Sequence, residues 1–274
     1  MKRYKIIATD LDGTLFDSQK RVSPENRAAI RALTELGIAV VPSSGRTLSE
    51  MPREVLSIPE AHYIIHSDGA VIYDTRQKKP IDSRLMEGEC AHRLIRILSE
   101  YQALLTVRAN GIIYVDADEQ NEKTYDSYRM PRSYQPAMLN YATPVKDIWS
   151  FCLSLDAIEM ICPFFKSDEE LTACRERLYA TGDYGISATE KTNLEIYDKN
   201  AGKGNALLRL AALLGASKEE TIAVGDNDND IDNLTHAGLA LAMENASENA
   251  KAVAHRIICH NDEHAMRYIL THII

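Results

Sequence analysis

The chain has no hydrophobic run approaching the length of a membrane span, so a transmembrane protein is not expected. Its start, MKRYKIIATD, carries basic residues but too short an apolar stretch for a signal peptide, and no small-residue cleavage site follows. Cysteine is scarce: Cys90, Cys152, Cys162, Cys174 and Cys259 are odd in number, widely spaced and never in a CxxC pair. That pattern argues against a disulfide framework or a zinc site and for free thiols in a reducing cytoplasm. Basic residues are outnumbered, 31 Lys and Arg against 40 Asp and Glu, for a net charge of -9. A general nucleic-acid or membrane-surface binder is therefore not expected, and an anionic small substrate requires cations gathered at its site. There is no internal repeat and no low-complexity tract.

What remains is an ordinary globular composition, 45% hydrophobic and 26% charged, over 274 residues. That length corresponds to about two domains. The outer thirds alternate short apolar strands with helical patterns. Strands are expected at Ile6 to Thr9, Ile38 to Pro42, Tyr63 to His66, Asn193 to Tyr197, Thr221 to Val224 and Leu239 to Met243. Between them, Ser23-Pro24-Glu25 opens a helix whose apolar positions run to Leu36 and end at Gly37. Other helices are expected from about Thr47, over Asn205 to Leu214, and from about Ser247 and Glu263. Strands joined by such helices imply a parallel sheet. The middle is richer in Tyr, Pro and charge, with strands such as Ile112 to Val115 and Ala157 to Ile161. The expected fold is α/β: a Rossmann-like, doubly wound parallel sheet core from residues 1–83 and 191–274, with an inserted α+β cap domain at 84–190.

Four stretches carry chemistry. In KIIATDLDGTLF the strand runs into Asp10, with Asp12 two residues on and Gly13 to turn the backbone. On extended chain, residues i and i+2 face the same side, so both carboxylates can serve one site beyond the strand's C-terminal end. In TIAVGDNDNDIDNL a second strand ends in Asp226, followed by Asn229 and Asp230. It is not an EF-hand loop, since position 6 is Ile231 and position 12 is Ala237. Two strand ends rich in carboxylates repel each other, and a hard divalent cation such as Mg²⁺ relieves that repulsion. In VVPSSGR, Ser44 and the backbone N–H of Gly45 suit a phosphate oxygen, but the stretch is not a GxSxG nucleophile elbow. In NAGKGNALL, Lys203 lies beside a helix N-terminus without a complete Walker motif. Taken singly, each stretch also reads as an ordinary turn or a surface lysine.

In this order the four resemble the haloacid dehalogenase superfamily of phosphotransferases, and most closely its Cof-type branch with a type IIB cap. The likeness extends to DSQKRVSPENRAAIRAL, HSDGAVIYD and LAMENASENAKAVA. It implies a Mg²⁺-dependent phosphatase of small phosphomonoesters, sugar phosphates first, working through an aspartyl-phosphate. Asp10 would be the nucleophile and Asp12 the acid and base. Asp10, Asp12 (through its main-chain carbonyl) and Asp226 would hold Mg²⁺. Ser44, Gly45, Lys203 and Asn229 would hold the phosphoryl group, with Thr14, Arg46 and Asp230 in support. The alternatives are a phosphomutase of the same superfamily or a pyridoxal phosphate or nucleotide phosphatase. The partner expected is a small phosphorylated metabolite, for a cytoplasmic monomer or small homo-oligomer. One departure stands out: Asp68 replaces the Asn usual in that branch, and an added carboxylate repels phosphate unless a cation such as Arg46 pairs with it. The loop DSYRMPRSYQP, with Arg129 and Arg132, reads as a surface loop or a contact to the leaving group.

Overall fold

The computed structural model describes residues 4–187 and 191–274. The chain forms two compact units. The first comprises the chain up to Gly45, then Met51–Ser83 and Gly202–Ile274; the second comprises Arg46–Glu50 and Arg84–Ala201.

At the centre of the first unit is a five-stranded sheet in the order Arg256–Ile257, Leu239–Ala242, Thr221–Gly225, Ile6–Thr9, Ala39–Pro42, with every pair parallel. Its strands are near-continuous apolar runs because both faces are covered; Ile6, Ile7, Val41, Ile222, Val224 and Leu241 are fully buried. The helix Pro24–Glu35 starts where the sequence indicates, with the Ser23 hydroxyl accepting from the Asn26 N–H at 3.1 Å. It packs against Ala265–His272, while Lys203–Leu213 packs against Ile231–His236. Tyr63–His66 continues past Ala39–Pro42 by a single bridge, Ser43 to Ile65, and then forms an antiparallel sheet with Val71–Asp74 and Lys79–Ser83.

The second unit holds a six-stranded sheet: Tyr184–Ser187, Glu195–Asp198, Met160–Phe165, Ala103–Ala109, Ile112–Asp116, Thr143–Val145. Only the last pair is parallel. The segment ALLTVRA shows how one strand serves two faces. Leu105 and Val107 join a core with Leu94, Ile95, Ile161 and Phe165. Thr106 and Arg108 point the other way, and Arg108 donates to the Thr106 hydroxyl at 3.3 Å and the Cys162 sulfur at 2.7 Å.

Two expectations change here. The strand expected at Asn193 to Tyr197 forms over Glu195–Asp198 and lies not in the core sheet but between Met160–Phe165 and Tyr184–Ser187, and the first compact unit resumes at Gly202. A short apolar strand does not reveal which sheet it joins. The insertion's expected end at 190 lies outside the described residues. The helix expected from Thr47 begins at Arg53, because residues 46–50 are tied into the second unit: the Ser49 N–H donates to the Gly111 carbonyl, and the Glu50 carboxylate lies 3.5 Å from the Arg108 guanidinium. Arg129 and Arg132 are used within their own unit, paired with Asp168 at 2.8 Å and Asp126 at 2.6 Å. All five cysteines are free thiols. Among the described residues no helix is long and apolar enough to cross a membrane.

Candidate active site

Three adjacent parallel strands release their chains at the same end of the first unit's sheet. Thr9 is level with Pro42 on one side and Val224 on the other, so Asp10, Ser43-Ser44 and Asp226 emerge side by side. Asp10 remains fastened to the sheet, its N–H donating to the Val224 carbonyl at 3.0 Å. The chain does not stay extended as far as Asp12. It enters a wide turn over Leu11–Leu15, closed by the Leu15 N–H to the Asp10 carbonyl at 3.3 Å and the Phe16 N–H to the Leu11 carbonyl at 2.8 Å. The turn needs Gly13, at φ 79°. It lets Thr14 face back, where its hydroxyl donates to Asp226 Oδ1 at 2.8 Å. Asp12 is more exposed, and Lys20 Nζ donates to its Oδ1 at 2.6 Å.

Lys203 is the first residue of the helix Lys203–Leu213, and its ammonium is buried. It donates to Asp10 Oδ1 and to Asp230 Oδ1, both at 2.7 Å. The second Asp230 oxygen accepts from the N–H groups of Asp226 at 3.0 Å and Asn227 at 3.3 Å. Asp230 thus accepts three hydrogen bonds, which makes it a brace for Lys203 and for the Asp226 loop. Asp10, Asp226 and Asp230 offer carboxylate oxygens within 4.8 Å of one another, and no other such group of three His, Cys, Asp or Glu occurs among the described residues.

The electrostatics follow from this crowding. Burial raises the Asp10 carboxyl well above its usual range; Asp230 and Asp226 push the same way, against the pull of Lys203. Burial and Asp230 raise Asp226 to about 6, against the Thr14 hydroxyl. Burial disfavours the charge on Lys203, but Asp10, Asp230 and Asp68 outweigh it and hold the ammonium well above its ordinary value. One buried ammonium thus faces several acids, and a hard divalent cation fits the all-oxygen donor set of Asp10 and Asp226.

Glycine 13 provides a direct check. A Cβ there would lie 2.3 Å from Asp226 Oδ2, and its φ is strained for any L side chain. Gly13→Ala is expected to displace the Asp226 carboxylate and lower kcat about 10²-fold or more. Steady-state kinetics beside a melting curve check this, because a merely weakened fold lowers Tm without a matching loss in kcat.

The other expected residues fall as follows. Ser44 is buried, with its N–H donating to the Ile65 carbonyl at 3.0 Å and its carbonyl accepting from the Asp68 N–H at 3.2 Å. Gly45 follows it at the end of that segment of the first unit, whereas Arg46 belongs to the second. Asn229 is half-buried on the short turn Asp228–Asp230. Two supports were not foreseen. Asn245 donates to the Gly13 carbonyl at 2.8 Å, and the Ser247 N–H donates to the Asp226 carbonyl at 2.8 Å. The signal was present in LAMENASENAKAVA, whose polar residues precede a helix as caps do, but nothing in that stretch says which loops they support.

A strand-end aspartate turn, a second strand-end carboxylate and a buried lysine define a class of hydrolase. A family model described as haloacid dehalogenase-like hydrolase matches residues 7–270. Phosphatase YwpJ of Bacillus subtilis is 29% identical over 98% of this chain and 100% of its own length. The pyridoxal phosphate phosphatase YbhA of Escherichia coli is 26% identical over 98% of this chain and 99% of its own. The solved structure of a haloacid dehalogenase-like hydrolase from B. subtilis has a TM-score of 0.81 at 30% identity, covering 98% of this chain and 100% of that one. The chain belongs to the haloacid dehalogenase-like hydrolases and is a phosphoric monoester hydrolase.

Proposed function

We propose that the protein is a Mg²⁺-dependent phosphatase of small phosphomonoesters, sugar phosphates first, working through an aspartyl-phosphate on Asp10. The observation that carries this reading is the Lys203 ammonium at 2.7 Å from both Asp10 and Asp230, which aims a buried cation at the strand-end carboxylate. Asp10 Oδ attacks phosphorus in line, and the ester's alkoxide leaves with a proton from Asp12. Water then attacks the aspartyl-phosphate; Asp12 takes its proton, and inorganic phosphate departs. Asp12 is partly exposed, which lets it exchange its proton with solvent between the two steps. Ser44, Gly45, Lys203 and Asn229 hold the phosphoryl oxygens as charge moves across them. Asp10, Asp226 and the main-chain carbonyl of Asp12 would hold a Mg²⁺ ion, which would supply positive charge against the clustered acids and the phosphoryl oxygens.

The reading is tested by phosphate release over a panel of phosphorylated metabolites. Sugar phosphates should be hydrolysed without a bisphosphate activator, which separates a phosphatase from a phosphomutase. Chelation should abolish turnover and added Mg²⁺ should restore it. Full activity after exhaustive chelation would remove the metal from the reading.

A further inference from the structure

The chain leaves Ser44-Gly45 for a five-residue segment, Arg46–Glu50, that folds with the second unit. Each side of that junction is separately fastened. Before it, the Ser43 N–H donates to the Thr9 carbonyl at 2.8 Å and the Ser44 N–H to the Ile65 carbonyl at 3.0 Å, which ties both residues to strands of the first unit. After it, the segment closes on itself. The Thr47 N–H donates to Glu50 Oε2 at 2.8 Å, and the Glu50 N–H donates to the Thr47 hydroxyl at 3.3 Å. This is the reciprocal pairing of a capping box, and Thr47 within it is fully buried. Gly45 and Arg46 are the whole of the chain between the two anchors. Glycine tolerates a wide range of φ and ψ, so Gly45 does not by itself fix the direction of its N–H; the anchors on either side do.

The second anchor is held by the strand Ala103–Ala109 and the hairpin turn that follows it. Asn110 and Gly111, at φ 54° and 73°, form the two-residue turn into Ile112–Asp116. The Gly111 carbonyl accepts from the Ser49 N–H at 2.9 Å, and a Cβ on Gly111 would lie 3.3 Å from Leu48 Cβ, so the two backbones approach closely. Arg108 supplies the charge. Its guanidinium is buried, donates to the Thr106 hydroxyl at 3.3 Å and the Cys162 sulfur at 2.7 Å, and lies 3.5 Å from the same Glu50 oxygen that accepts from Thr47. The Glu50 side chain is 7% exposed. A carboxylate that far from water stays in place only beside a cation; without one it turns toward solvent and drops the Thr47 N–H. We infer that Arg108 is a positioning residue for phosphoryl transfer: it keeps Glu50 in place, Glu50 keeps Thr47, and the fastened turn sets the Ser44 hydroxyl and the Gly45 N–H against the phosphoryl group. It acts through the turn, without touching the ligand. The inference rests on the phosphatase reading, in which Ser44 and Gly45 hold phosphoryl oxygens, and adds what aims them.

The test measures wild type and three variants with Mg²⁺ present, on a hexose 6-phosphate and on p-nitrophenyl phosphate, with inorganic phosphate as the inhibitor. Arg108→Met is expected to lower kcat/KM about tenfold or more on both substrates alike, and to raise the inhibition constant of phosphate several-fold. Glu50→Ala removes the acceptor for Thr47 and leaves Arg108 in place, and it is expected to do the same. It decides the matter alone should Arg108→Met fail to fold. Adding Glu50→Gln to Arg108→Met is expected to recover most of the loss, because an amide oxygen still accepts from Thr47 and needs no counter-charge. A role in folding alone reduces the amount of active protein, and with it the apparent kcat, but leaves phosphate inhibition at its wild-type value; that result overturns the inference. A guanidinium that touched the leaving group would change the ratio of the two substrates and would not be rescued by Glu50→Gln, and that result overturns it as well. Wild-type protein that releases phosphate from neither substrate instead removes the phosphatase reading, and this inference with it.

Discussion

Replacing Asp10 with Asn is expected to lower turnover by on the order of 10⁴-fold or more while leaving the fold intact. An amide cannot form the acyl-phosphate, so the loss falls on kcat rather than on substrate affinity. The fold should survive because Asn keeps the shape and removes one of three carboxylates crowded within 4.8 Å. The Lys203 ammonium still has Asp230 as its partner at 2.7 Å. Phosphate release with excess Mg²⁺, beside a thermal melt, checks both halves. A variant that melted within a few degrees of wild type and kept full turnover would remove Asp10 as the nucleophile.

Lys203→Met is expected to cost both stability and activity, unlike the Asp10 change. It leaves Asp10 and Asp230 buried without the cation they share. Removing one partner of a buried ion pair costs about 3–5 kcal/mol. At roughly 2–4 °C per kcal/mol for chains of about this size, Tm should fall by about 6–20 °C. Saturating Mg²⁺ should restore part of that loss, since the ion supplies positive charge to the same carboxylates, but it should not restore turnover. Lys203→Arg should rescue neither: the side chain at this position is 1% exposed, and a wider guanidinium fork has no room there. A Lys203→Met protein with wild-type Tm would show that the three charges are not energetically coupled.

Both predictions concern residues that stood out in the sequence, and the reason is physical. Asp10 and Asp226 end strands whose apolar runs are legible, and the C-terminal ends of parallel strands are where open α/β sheets place their sites. Lys203 stood out through glycines on either side and a helix after it. The spacing of Asp10 and Asp12 reads as extended backbone, whereas the turn over Leu11–Leu15 starts immediately after Asp10. The apolar positions Leu11 and Leu15 do not distinguish a wide turn from a strand continuing. What stayed hidden were contacts between distant segments. Thr14 to Asp226 and Asn245 to Gly13 each join residues more than two hundred positions apart, and no local pattern specifies such a pairing. Glu195–Asp198 was misassigned for the same reason, since propensity identifies a strand but not its neighbours.

The order of the strands has a consequence for how the molecule is made. Ile6–Thr9 lies in the middle of its sheet, paired on one side with Ala39–Pro42 and on the other with Thr221–Gly225. During synthesis the first partner leaves the ribosome early, while the second emerges only after the entire second unit. The nascent chain must therefore carry an open apolar edge on its central strand while the second unit is synthesised, a high-contact-order arrangement that slows folding and invites mispairing. On the proposed mechanism the site is complete only once the second unit has been made, because Lys203 and Asp226 both follow it in the chain.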